Sequence, residues 1–494
     1  MTSNVPRFCR NASLLVSGLM IGSLLSLRSV CAQNPAPPLT AAPAVAPLIW
    51  DIRTLGAIGD SQTVNTRAIQ AGIDAANAAG GGTVVVADGH YVTGTLYLKS
   101  DVNLRIESGA SLLGSPHLAD YTTDTDRTMY AGEPHMNRCL IFAKDAHNFS
   151  IEGRGTIDGQ GKSLPEKGDP AKNRPKMIRF LNCTRIRVRD VTLQRPASWT
   201  NEWRYCSDIV VDGITVSSRG ITNGDGLDLD GCTKVRITNC TFDTGDDAIC
   251  LQTSLPEYPC SDIAVSNCNF SSRWAGMRIG LLSRGDFENI AVTNCTFTDH
   301  QDSGLKIQMN EGARMRNMVF SNLVMKNVPR PVFLTFCQKN AWVDAPRGQL
   351  PPMQSVSDIQ FSNIVVDSSG ITGPAAVTCG FQVTGMPDHP VEGISFSDIH
   401  AIFPGGGTAA NAADVLAEFT PQILRGKWPE YAQFRGTVPS YGFYVRHVKG
   451  ISLRNISLST SSADARPAIE FVDVSDAKLT DAPAAVVGAN APAP

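Results

Sequence analysis

From Ser207 onward one pattern of apolar and polar positions keeps returning: two polar residues, then apolar, any, apolar, any, a residue that is usually Asn or Asp, and apolar again. It reads SDIVVDGITV from Ser207, TKVRITNCTF from Thr233, SDIAVSNCNF from Ser261 and ENIAVTNCTF from Glu288. Further copies are RNMVFSNLVM from Arg316, SDIQFSNIVV from Ser357, EGISFSDIHA from Glu392 and KGISLRNISL from Lys449. Their first apolar residues are Ile209, Val235, Ile263, Ile290, Met318, Ile359, Ile394 and Ile451, spaced 26, 28, 27, 28, 41, 35 and 57 residues apart. Weaker copies begin near Phe149 and Ile186. Alternation with period two marks short, half-buried strands. Strands repeating at this interval with no helix between them predict a chain that coils, each turn stacked on the last. The expected fold is all-β, a right-handed parallel β-helix with neighbouring strands about 4.8 Å apart. A sandwich would need hairpins at shorter spacing, and a propeller four-stranded blades at a longer, regular period.

Asn239, Asn267, Asn294, Asn322, Asn363 and Asn455 share one repeat position and predict a ladder of amides at a tight bend. Cys240, Cys268 and Cys295 follow directly and are expected to stack inside as buried thiols rather than disulfides. Before the repeats, Thr66–Ala79 has one apolar helical face, capped by Asn65 and ended by Gly80-Gly81-Gly82, and reads as a short N-terminal capping helix. The two long intervals, Met325 to Ser357 and Ala401 to Lys449, hold insertions that would leave one face of the solenoid and wall a groove. The second carries Trp428-Pro429-Glu430-Tyr431. The organisation expected is a signal peptide at 1–32, a Pro/Ala linker at 33–48, one β-helix domain at 49–474 and a loose Ala/Pro-rich tail at 475–494.

The signal reading rests on Arg7 and Arg10, the apolar run Ala12 to Leu27, and Val30-Cys31-Ala32 as a small-residue cleavage site. That run is shorter than the roughly 20 residues of a spanning helix, so a secreted or periplasmic protein without a membrane span is expected. A net charge of −3 argues against a nucleic-acid partner. Of 13 cysteines, eleven remain after Cys9 and Cys31 leave with the signal; no CxxC pair occurs, and the histidines show no metal-ligand spacing. No metal or cofactor is expected, and a monomer is the expected state.

The chemistry concentrates in NGDGLDLDGCTKVRITNCTFDTGDDAI, Asn223 to Ile249, with Asp225, Asp228 and Asp230 on one coil and Asp246 and Asp247 on the next. Stacked coils would bring the two clusters together. Neighbouring carboxylates facing one site cannot all ionise easily, so one keeps a proton while another serves as base. The same oxygens would also suit a solvated turn or a calcium site. GMRIG (Gly276–Gly280) and SGLKIQ (Ser303–Gln308) follow on later coils and place Arg278 and Lys306 beside the same groove, where they would grip an anionic substrate.

Asn223-Gly224-Asp225-Gly226, Gly245-Asp246-Asp247, the upstream Ala197-Ser198-Trp199 and the downstream basic segment resemble, in this order, glycoside hydrolase family 28, the polygalacturonases. The resemblance covers roughly residues 50–470 and includes the opening LGAIGDSQTVNTRAIQAGIDAANAAGGGTV. It implies hydrolysis of α-linked uronic acid polymers with inversion. Asp246 would protonate the leaving oxygen, Asp225 and Asp247 would activate water, and Asn223, Trp274, Arg278, Lys306 and Gln308 would contact substrate. Inverting enzymes usually hold acid and base about 6.5–9.5 Å apart, wider than stacked coils suggest. Two departures stand out: Ala275 occupies the position of the family's His, and Gln308 replaces its Lys. They make a rhamnogalacturonan-type or exo-acting hydrolase an alternative. His300 lies near in sequence but reads as a turn residue. A lyase or epimerase, or a non-catalytic glycan-binding β-helix, would share the scaffold.

Overall fold

The computed structural model describes residues 48–126, 137–164, 174–338, 350–424 and 427–488, all within a compact unit spanning Pro47–Pro494. The expected signal, and the linker up to residue 47, lie outside the described residues. Within them the parallel β-helix is present. Thirty-four strands join one sheet, and the expected repeat register holds at every step. Phe149, Ile186, Ile209, Val235 and Ile263 are direct partners on successive coils. Ile290, Met318, Ile359, Ile394 and Ile451 continue the same inward row. Every member of the row is buried. The interior also stacks rings: Phe242, Phe270 and Phe297 stand 5.4 and 4.9 Å apart, and Phe320, Phe361 and Phe396 5.1 and 4.6 Å apart.

The Asn positions turn the corner. Asn239, Asn267, Asn294, Asn322, Asn363 and Asn455 all have φ between 52° and 58°, a left-handed conformation that Asn tolerates better than most side chains. Their amides form the expected ladder in segments: Asn322 donates to Asn294 Oδ1 at 3.1 Å and accepts from Asn363 Nδ2 at 2.8 Å. At the ends the partner becomes an aspartate, Asp212 for Asn239 and Asp398 for Asn455. A second ladder, Asp262–Asn289–Asn317, supports the other end of the same strands. Cys240, Cys268 and Cys295 are buried and free. Each donates its S–H to the carbonyl two residues earlier.

Thr66–Ala78 is the capping helix, with Ile69, Gly72, Ile73 and Ala76 buried. Asn65 precedes it but does not cap it through its side chain. The amide is used up by the preceding loop, accepting from Ile58 N and donating to Ile58 O and Thr63 O. At the other end the solenoid runs past residue 474: Lys478–Thr480 and Ala485–Val487 are strands paired to the last coils. The Ala/Pro composition hid their backbone pairing.

The insertion between Phe403 and Phe443 forms a small apolar core of its own. Leu416, Phe419, Leu424, Phe434 and Val438 pack on Phe333, Cys337, Met386, Tyr444 and Val472, which face outward from the late coils. Arg446 ties it down, donating to the carbonyls of Leu416 and Ala417 at 2.9 Å. Strands of the groove face, such as Leu227–Asp230, Ile249–Thr253 and Ser303–Met309, are buried on both sides, and the insertion covers the last of them through Pro429 and Glu430 at Gln308 and Lys306. Strands elsewhere alternate, as in Phe287–Thr298.

The ladder predicts an asymmetry between two substitutions. Asn322→Gly loses the amide bonds but relaxes the backbone, whereas Asn322→Ala loses them and keeps a Cβ at φ 55° without the polar side chain that eases that conformation. Denaturant unfolding should show a cost of about 2 kcal/mol for Ala and about half that for Gly.

Candidate active site

Two consecutive turns carry the acids. The turn after residue 217 is folded tightly by Ile221 N to Ser218 O at 2.8 Å, Gly224 N to Ile221 O at 3.1 Å, and Ser218 Oγ to Gly224 O at 2.5 Å. The next coil's turn stacks directly beneath it, Gly245 N donating to Gly224 O at 3.2 Å. A Cβ on Gly245 would stand 2.0 Å from Ile221 O, and one on Gly226 would stand 2.3 Å from Ala248 O. Only glycine permits that approach. It brings one carboxylate oxygen from each of Asp225, Asp246 and Asp247 within 4.8 Å of one another. The same three oxygens could surround a cation.

All three carboxyls are pushed above the ordinary range. Burial acts first on Asp225, then the charges of Asp246, Asp228 and Asp247. Asp246 is raised to about 7 by burial and then by Asp247, against the pull of Arg278. Burial also raises Asp247, but Arg278 and Lys306 oppose it. Arg278 Nη1 lies 3.2 Å from Asp247 Oδ2, and Ala275 N donates to Asp247 Oδ1 at 3.1 Å. Among the described residues, Asp246 Oδ1 accepts one hydrogen bond, from the backbone Asp247 N at 3.0 Å. The arrangement therefore suits Asp246 as the proton carrier and Asp247 as the anion. Asp228 lies one pleat deeper, with both oxygens buried and without a hydrogen-bond partner among the described residues. Burial pushes its carboxyl well above the ordinary range as well, with Lys176 opposing. Asp230 leaves the site and binds Ser254 N and Oγ at 2.6 and 2.5 Å.

Strand register sets the charged row. Arg179, Glu202, Asp228, Cys250, Arg278, Lys306 and Phe333 are direct partners on successive coils. Before the acids, Lys176 Nζ sits 2.9 Å from the centre of the Trp199 ring and 3.4 Å from Glu202 Oε2. After them, each cation already has an acid. Lys306 pairs with Asp302 at 2.8 Å and with Glu430 of the insertion; Arg278 pairs with Glu430 at 3.0 Å; Arg330 pairs with Asp302 at 2.9 Å. Burial would raise the Asp302 carboxyl, yet Lys306 and Arg330 hold it far below the usual range.

The remaining expected contacts are placed as follows. Trp274 is 38% exposed, its ring 4.6 Å from Lys306 Nζ. Gln308 is fully buried, accepting from Arg278 at 2.6 Å and donating to Pro429 O at 3.1 Å, so it links the cation to the insertion. Asn223 is exposed at the rim, its Oδ1 accepting from Arg174 at 2.9 Å. His300 lies in the connection before Ser303–Met309 but is buried against Phe297, and burial lowers its pKa to about 4. Sequence reasoning missed Lys176, Asp302 and Glu430; the insertion's Trp-Pro-Glu-Tyr was visible, but nothing tied it to Arg278.

A family model described as glycosyl hydrolases family 28 matches residues 97–415. The chain belongs to that family. It is a glycoside hydrolase. Among its relatives, an exo-poly-alpha-D-galacturonosidase of Dickeya chrysanthemi is 25% identical, the alignment covering 74% of this chain and 71% of that one. An exopolygalacturonase of Zea mays is also 25% identical, covering 72% and 84%. Among solved structures, the family 28 exopolygalacturonase of Yersinia enterocolitica superposes with a TM-score of 0.66 at 20% identity, covering 88% of this chain and 78% of that one. The exopolygalacturonase of Thermotoga maritima gives 0.61 at 20% identity, covering 85% and 93%. At that identity the structures speak for the fold alone.

The raised acid carries a stability signature. An unfolded Asp titrates near 3.9, so between about 4 and the folded value of about 7 only the folded chain keeps the Asp246 proton, and stability falls as pH rises. Asp246→Asn should remove part of that fall and raise the melting temperature at neutral pH by about 1–3 °C. Scanning calorimetry across the acidic and neutral range checks it.

Proposed function

We propose that this chain hydrolyses α-glycosidic bonds of pectin or a related acidic polysaccharide with inversion, Asp246 donating the proton and Asp225 and Asp247 activating water. The observation that carries the reading is the convergence of three carboxylates from two coils, with Asp246 raised to about 7. A group poised there is protonated often enough to serve the leaving oxygen and acidic enough to give its proton up. Asp247, gripped by Arg278, supplies the negative partner. The relatives' names support a galacturonate-containing substrate. The inversion rests on the family resemblance. The oxygens are closer than the usual inverting separation of about 6.5–9.5 Å, so product stereochemistry is a direct test.

An exo mode is part of the proposal. Trp428 of the insertion packs toward Trp199 and Leu282, so the insertion reaches across the groove next to the acids. The apolar run Ala12 to Leu27 supports export, to the periplasm or outside the cell, and we read the working unit as a monomer.

Purified protein assayed on polygalacturonate, rhamnogalacturonan and their oligomers should release short products from the first turnovers. Random internal fragments would contradict the exo mode. Asp246→Asn should lower turnover at least about 100-fold. The gathering of three acid oxygens also suits a cation, the arrangement a lyase or epimerase would use. Hydrolysis predicts full activity after chelation and no unsaturated product. Loss of activity on chelation, restored by calcium, would favour the second reading.

A further inference from the structure

The cations past the acids are not open to a substrate carboxylate. Arg278 and Lys306 are neighbours in register on adjacent coils and would form a two-pronged grip for a uronate. Both prongs close on Glu430: Arg278 Nη2 reaches its Oε1 at 3.0 Å, and Lys306 Nζ its Oε2. Counting outward, the three cations Arg278, Lys306 and Arg330 meet the three carboxylates Asp247, Asp302 and Glu430. No net positive charge is left for a fourth. Glu430 is also held firmly: Gln308 donates to the carbonyl of the preceding Pro429 at 3.1 Å, and the following Tyr431 ring lies 4.8 Å under the Arg330 guanidinium. A second carboxylate entering here would sit against Glu430 and Asp302, and like charges in a poorly solvated site repel strongly.

We infer that Glu430 is a built-in substitute for a substrate carboxylate, so the sugar bound beside the acids on the side of the later coils is a neutral hexose or deoxyhexose rather than a uronate. The inference rests on the proposed hydrolysis of an acidic polysaccharide and narrows it to bonds with a neutral sugar on one side. It also gives the Lys-to-Gln difference a purpose. Gln308 accepts from Arg278 and donates to the insertion at once, whereas a lysine could donate to Pro429 O but carries no atom to accept from Arg278 and would repel it.

The test compares wild type with Glu430→Gln, and with Glu430→Ala should the first variant not fold. Binding of D-galacturonate and D-galactose is followed by tryptophan fluorescence, since Trp274 and Trp428 flank the site. Wild type should bind galacturonate no better than galactose, and the variant should bind galacturonate at least tenfold more tightly with galactose unchanged. In parallel, kcat/KM is measured on homogalacturonan oligomers and on oligomers alternating uronate with a neutral sugar. Wild type should favour the alternating series, and the variant should shift that ratio at least tenfold toward the homopolymer. Equal galacturonate binding by wild type and a folded variant, or none by either, would overturn the inference. The binding arm stands apart from turnover. A chain that shows the binding shift but hydrolyses neither series would sink the hydrolase reading and leave the role of Glu430 intact.

Discussion

The burial of carboxylates that face one another across neighbouring rungs, and the repulsion that burial leaves unscreened, is the constraint around which the rest is arranged. A coiled backbone repeats at the strand spacing of about 4.8 Å, so two acidic turns in the same angular position must face each other. Gly226 and Gly245 let the turns close fully, and burial removes the water that would screen the charges. The outcome is a proton kept on Asp246 near neutral pH, beside an Asp247 whose charge Arg278 favours. Register then distributes the compensating cations. Lys176 and Arg179 lie before the acids, Arg278 and Lys306 after them, each fixed by backbone pairing rather than by its own side chain.

The insertion changes what that scaffold can accept. Its Phe419, Leu424 and Phe434 form an outer core on the late coils, and that core anchors the segment that delivers Glu430 and Trp428. Apolar packing outside the solenoid thus governs the charge balance inside the groove. A groove open along the whole sheet would leave Arg278 and Lys306 solvated. The roofed groove buries both and satisfies them from within the chain.

How much of this was legible follows from distance along the chain. The inward row from Phe149 to Ile451 was readable because each member sits one coil from the next, and alternation announces which face is inside. The amide ladder was readable for the same reason, although its left-handed backbone and aspartate ends were not. Asp225 and Asp246 could be brought together because only one coil separates them. Glu430 could not be joined to Arg278, since 152 residues separate them and the insertion carries no repeat. The motif alone makes Gln308 a substrate contact; the fold gives it Arg278 and the insertion's Pro429 as partners. Leu227–Asp230 reads LDLD, the pattern of an ordinary half-solvated strand, yet both of its faces are buried, Asp230 being taken by Ser254.

The most direct measurement is a carbon-13 titration of the aspartate side-chain carboxyls in wild type and in Asp246→Asn. Repulsion across the two rungs predicts that the Asp225 signal lies well above the ordinary carboxylate range in wild type and moves to lower pH once the Asp246 charge on the next coil is gone. If Asp225, Asp246 and Asp247 all titrate together near the ordinary value of about 3.9, with no response to the substitution, the coils do not couple these acids and the central claim fails.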